Sequence, residues 1–294
     1  MTKNSNILPL AALISAMLIG GLGNTLLATN PQDPWLFLSL RYLFAAVILI
    51  HFTPKIFKLP KIIQLAALFE FFSVVTLVLG LSTVSVTLAT VIAAAAPIVA
   101  LAANKITGKQ TVPKLIYIPI LLGVASTFLI ASQRPFTVDS ILGIALVIVS
   151  ILFGTAGSII NGWYGAEHSP WVRANLTNSI GAIVLLPLLI FNLATPTAVH
   201  PTWSMILPAL LVALLPGTIA KAFNLYALKY ITVPTVLQAS TLSIVTASVT
   251  AWLILGQTLN IYSIVGIIIG IASVISLSII TLKQSKNETF AEKD

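Results

Sequence analysis

Gly20-Gly21-Leu22-Gly23-Asn24 and Gly154-Thr155-Ala156-Gly157-Ser158 are two renderings of one motif, Gly-x-x-Gly followed by a small polar residue. Each lies inside an apolar run long enough to cross a bilayer. Pro34-Trp35 opens the apolar run after the first copy, and Pro170-Trp171 opens the run after the second. Further on, Leu81–Thr87 parallels Leu228–Pro234, and Gly123-Val-Ala-Ser126 returns as Gly270-Ile-Ala-Ser273. The matches keep one order through both halves, which chance apolar similarity does not produce. The chain is a duplication.

Each copy reads as five apolar segments. The first copy gives Ile7–Ala28, Trp35–Phe52, Ile62–Gly80, Val86–Asn104 and Lys114–Ser132. The second gives Asp139–Asn161, Val172–Asn192, Met205–Leu228, Thr232–Leu255 and Ile261–Leu282. An odd number of crossings per copy threads the two copies in opposite senses, the inverted-repeat plan of secondary carriers. The expected fold is therefore an all-α membrane protein of ten transmembrane helices in two inverted five-helix repeats. Residues 7–132 and 139–282 are the repeats, 133–138 an external linker, and 1–6 and 283–294 cytoplasmic ends.

Composition agrees. Of 294 residues, 58% are hydrophobic and 7% charged, too little polar surface to cover a water-facing globule. The net charge of +8 sits in short connections, where it signals topology rather than a nucleic-acid face. Lys3, the Lys55–Lys61 and Lys105–Lys114 clusters, Arg173, Lys221, Lys229 and the C-terminal lysines fall at or near one side, leaving Arg41 and Arg134 toward the other. That asymmetry predicts N-in and C-in. Trp35, Trp203 and Trp252 mark the outer boundary, Trp163 and Trp171 the inner one. There is no cysteine, and His51, His168 and His200 have no ligand-like spacing, so neither a metal nor a cofactor is expected. No nucleophile–base set stands at span depth, and no enzyme is predicted.

Charge inside the spans is the functional signal. Glu70 is the one acidic residue well within a segment, at a cost of ~2.5–3.5 kcal/mol on insertion scales unless it finds a cavity or a partner. In the repeat alignment Glu70 stands opposite Gly217, one turn before Lys221. The two charges either pair or receive the two ends of a zwitterion; alternatively Lys221 snorkels to the headgroups. Asn24, Ser158, Asn224, Tyr226 and Gln238 are candidate cavity-lining polar groups. Phe69, Phe71 and Phe72 offer aromatic faces to an organic cation. Pro97 and Pro216-Gly217 are candidate hinges, since an intrahelical proline frees a carbonyl and bends the helix. Gly266-x-x-x-Gly270 suits either packing within a monomer or a homodimer contact. Arg41 is read as interfacial or structural, and Asp33 as a solvated loop acid.

The chain also resembles the EamA family of the drug/metabolite transporter superfamily. The likeness rests on Arg41-Tyr-Leu-Phe-Ala45, the proline-bearing Ala93–Leu101, Ala227-Leu-Lys-Tyr230 and Leu255-Gly-Gln-Thr-Leu259. It spans both repeats. Departures occur where Gln257 and Lys109 replace a frequent glutamate and Ile19 a frequent tryptophan. The resemblance implies ten helices, a central cavity and alternating access for amino acids, other metabolites or drugs. The leading expectation is a carrier in a bacterial inner membrane that exports amino acids or related metabolites, with a proton as candidate coupling ion. Uptake of a quaternary amine is the second reading, and a passive channel the third.

Overall fold

The computed structural model describes residues 7–28, 33–81, 83–110, 112–132, 141–195 and 200–291, and their side chains except at 24, 27, 28, 86, 87 and 284–291. The linker at 133–138 and the ends at 1–6 and 292–294 lie outside that set. Helix α1 covers Ile7–Ala28 and α2 Pro34–Ile48, followed by a 3-10 turn at Ile50–Phe52 and the short α3, Thr53–Ile56. Then come α4 (Lys61–Leu81), α5 (Val86–Ala93), α6 (Ala96–Thr107) and α7 (Tyr117–Ala131). The second half supplies α8 (Ile141–Tyr164), α9 (Pro170–Ala194) and α10 (Trp203–Leu214). A π-helical segment, Leu215–Ala220, leads into α11 (Lys221–Ala227), followed by α12 (Val233–Leu255) and α13 (Ile261–Ala291). Among the described residues there is no strand.

Among the described residues, eight helical runs are long and apolar enough to cross a membrane, and the bent pair Pro34–Ile48 with Ile50–Ile56, taken as one span, makes a ninth. Large apolar side chains such as Ile183, Phe191, Ile264, Ile268 and Ile275 face outward. In water each would lose the roughly 1.5–3 kcal/mol that burying such a side chain brings, whereas lipid removes that cost.

Local chemistry sets the helix ends. Asp33 is no idle loop acid: its Oδ1 accepts from the backbone N–H of Trp35 and Leu36 at 2.9 and 3.0 Å, capping α2 just before Pro34. Gly108 ends α6 and Gly256 ends α12, each left-handed at φ 63° and 65°, a conformation glycine adopts without steric cost. The expected span from Val86 to Asn104 is present as the apolar run Leu88–Thr107, with a turn at Ala94–Ala95 where Pro97 has no N–H to give the carbonyl of Ala93. The expected span from Trp35 to Phe52 bends by 64° at the 3-10 turn, where Pro54 cannot donate to the Ile50 carbonyl and the Thr53 N–H does so instead.

Packing repeats across the halves. α1 lies on α12 and on the π segment with α11; its counterpart α8 lies on α5, α6 and α4. α2 meets α9, and α7 meets α13, each against its own counterpart. At that last contact Ser126 Oγ donates to the Gly266 carbonyl and Ser273 Oγ to the Pro119 carbonyl, both at 2.7 Å. Replacing each residue by its repeat partner turns one bond into the other. Gly266 and Gly270 are spent here, against Leu129, Ile130, Ser126 and Val245 of the same chain.

Candidate functional site

The helices that meet at the junction of the repeats bring together the charges that the sequence singles out. Glu70, from the middle of α4, pairs with Lys221 at the start of α11 through Oε2 and Nζ at 2.6 Å. The Glu70 side chain is 9% exposed and that of Lys221 27%, so the lysine does not snorkel away. Two more donors complete the carboxylate: Thr177 Oγ1 to Oε2 at 2.9 Å and Asn161 Nδ2 to Oε1 at 3.2 Å. Four helices thus converge on one carboxylate, and its burial is offset by one cation and two neutral donors.

The site exists because glycine lets helices approach there. A Cβ on Gly157 would stand 2.7 Å from Glu70 Cγ and 3.0 Å from the Ala66 carbonyl, so α8 can lie against α4 only with hydrogen at that position. On the other side, Pro216 withholds an N–H from Val212, and the chain runs as a π helix through Leu215–Ala220. A π turn carries an additional residue, which shifts the register of α11 relative to α10 and so sets the direction in which Lys221 leaves the helix.

Sequence reasoning missed the support around the pair. Arg173, expected among the charges that mark the inner boundary, is 2% exposed. Its Nη1 donates to the Asn161 side-chain and backbone oxygens at 3.2 and 3.3 Å, and its Nη2 to the Leu225 carbonyl at 2.8 Å. Asn161 therefore joins Arg173 to Glu70. Asn178 donates to the Gly217 carbonyl at 3.1 Å, and Asn175 to Thr53 Oγ1 at 3.2 Å. The available signal was the run Arg173-Ala-Asn-Leu-Thr-Asn-Ser179, five polar residues in seven inside a span, every one of them buried.

The other candidates separate. Gln238 is a structural clamp: 1% exposed, its Nε2 donates to the Pro119 carbonyl, Thr241 Oγ1 and Ser273 Oγ at 2.9, 3.2 and 3.0 Å. Tyr226 meets Tyr230 edge-to-face with ring centroids 5.3 Å apart and lines a separate, largely apolar groove of about 410 Å³ with Leu8, Ser15, Trp171 and Phe223. Ser158 and Asn224 are half-buried, and neither side chain bonds to the Glu70 cluster among the described residues. Asn24 lies on α1, but its side chain is outside the described set. Pro97 begins α6 and Pro216 and Gly217 lie in the π segment, so the candidate hinges coincide with helix irregularities. The phenylalanines do not surround Glu70: Phe69 and Phe72 gather on Phe153, and Phe71 meets Tyr42.

Residues 137–279 match the profile of the EamA-like transporter family. A solved structure described only as "Crystal structure of protein" superposes with a TM-score of 0.78, covering 96% of this chain and 99% of that one at 13% identity. At that identity the likeness is one of fold. No curated protein matches the sequence.

Proposed function

This chain belongs, through its second half, to the EamA-like transporter family, and from that membership we propose that it is a secondary carrier of a small organic metabolite. It works by alternating access in a bacterial inner membrane, as ten spans in two inverted repeats with both ends inside. The leading substrate class is the amino acids and their relatives, and the direction is export. The observation that carries this reading is the Glu70–Lys221 pair, held between a helix of the first repeat and one of the second. In the empty site each charge neutralises the other. A zwitterion brings an ammonium to Glu70 and a carboxylate to Lys221, so it replaces the pair without stranding a charge. A ligand biases the two access states only through its different affinity for them, and a site divided between two moving repeats supplies that difference.

An organic cation fits less well. It would engage Glu70 and leave Lys221 without a counter-charge, and the nearby phenylalanines are already packed on one another. The test is counterflow of labelled amino acids in proteoliposomes. Lys221→Ala should abolish it for a zwitterion and spare it for a cation. A channel would show no counterflow overshoot. If a proton is the coupling ion and Glu70 carries it, the exchange that Glu70→Gln retains, weakened by loss of the ammonium's counter-charge, should show no response to a pH gradient. Full pH-driven transport in that variant removes Glu70 from coupling.

A further inference from the structure

The repeat alignment makes a second site visible. Setting Pro34 on Pro170 places Arg41 on Thr177, and Glu70 falls on Gly217. In one half the Thr177 hydroxyl meets the Glu70 carboxylate, with Gly157 against the stem of that side chain. Exchanging the halves should bring Arg41 to Gly217, with Gly23 close by. That is what the structure contains: the Arg41 guanidinium Nε and Nη2 are each 3.6 Å from where a Gly217 Cβ would lie, and a Cβ on Gly23 would stand 2.5 Å from the ring of Pro216. The chemistry is inverted between the two places. Where the first repeat projects a carboxylate toward a hydroxyl, the second projects nothing toward a guanidinium.

We propose that Arg41, laid across the side-chain-free backbone at Gly217, is an anion subsite that takes the substrate's carboxylate in the pseudo-symmetric place of Glu70's own carboxylate. Three observations support it. The guanidinium is half-buried and stacks on Tyr42 at 4.5 Å, yet no carboxylate among the described residues pairs with it. A guanidinium offers five donors in a fixed fork that matches a carboxylate. Thr218, next in the chain, is 2% exposed, and its hydroxyl has no partner among the described residues. Gly217 and Lys221 are four residues apart, about one turn, so a carboxylate lying over Gly217 comes near both cations while its ammonium reaches Glu70. The assignment rests on the carrier reading and makes Arg41 its specificity-determining residue.

The test uses the full chain in lipid nanodiscs and three probes of one skeleton: L-leucine, L-leucinamide and 4-methylpentanoate. In the unmodified protein both carboxylate-bearing probes should raise the melting temperature. Arg41→Gln should need at least about tenfold more of either for the same rise, with Arg41→Lys between, because a charge-assisted bond is lost. The response to leucinamide should not move. Gly217→Asp, which tethers a carboxylate beside Arg41, should abolish the response to both carboxylates, an independent check if Arg41→Gln folds poorly. The proposal is overturned if neither carboxylate stabilises the unmodified protein, or if Arg41→Gln lowers the baseline yet keeps the same dose response. Carboxylate binding without counterflow would sink the carrier reading and leave Arg41 assigned; counterflow of leucinamide alone would do the reverse.

Discussion

Arg173 shows how little a residue's type says about its task. In composition it is one more base at the inner end of a span, yet it is enclosed and its two Nη groups donate to Asn161 and Leu225. Taking a charge out of water costs several kcal/mol, so such a group survives only among polar atoms fixed in place. Asn161 therefore holds two charged neighbours at once. Asn161→Leu leaves Arg173 Nη1 and Glu70 Oε1 each short of a partner, and should cost about 2–4 kcal/mol from two lost charge-assisted contacts, read by chemical unfolding in detergent. Gly157→Ala should cost about 1–3 kcal/mol as overpacking, since the Ala66 carbonyl 3.0 Å away is backbone and cannot swing aside. Gly23→Ala should behave alike against the rigid ring of Pro216. If both alanine variants melt with the unmodified protein, the glycines are not what sets the helix spacing.

At the scale of elements, the exchange of halves becomes a quantitative expectation. Ser126→Ala removes one hydroxyl bond across α7 and α13 and should cost about 1 kcal/mol. Ser273→Ala removes the matching bond and also strips Gln238 Nε2 of an acceptor at 3.0 Å, so it should cost clearly more. Equal losses would contradict the clamp role of Gln238. Gln238 also illustrates the limit of reading polar residues singly: a buried amide looks the same in sequence whether it faces a cavity or three protein acceptors. The breaks were partly legible. Pro97 and Pro216 announce a disturbed hydrogen-bond ladder, but whether the helix answers by a gap, as at Ala94–Ala95, or by a π segment, as at Leu215–Ala220, depends on the neighbours that fill the space.

For the molecule as a whole, the outward apolar faces require a bilayer, and the basic connections predict which side each loop meets. Because the chain has no cysteine, single cysteines at 58 and 109 can be labelled without removing any native thiol. Both should react with an impermeant maleimide only after the inner face is opened; reaction of the two from opposite faces would refute the inverted threading. The helical character and most of the bilayer-length segments were present in the sequence, and the repeated motifs with them, because hydrophobic runs, prolines and motifs are local properties of the chain. Glu70 too was marked by its cost in an apolar segment. Its partners were not, apart from Lys221. Which side chains meet depends on the rotation and spacing of helices, and those follow from contacts between residues far apart in the chain: Gly157 on Ala66, Gly23 on Pro216, and a π turn that redirects Lys221. Only the tertiary structure could bring Asn161 and Thr177 to one carboxylate, Arg173 to Asn161, and Arg41 to a glycine.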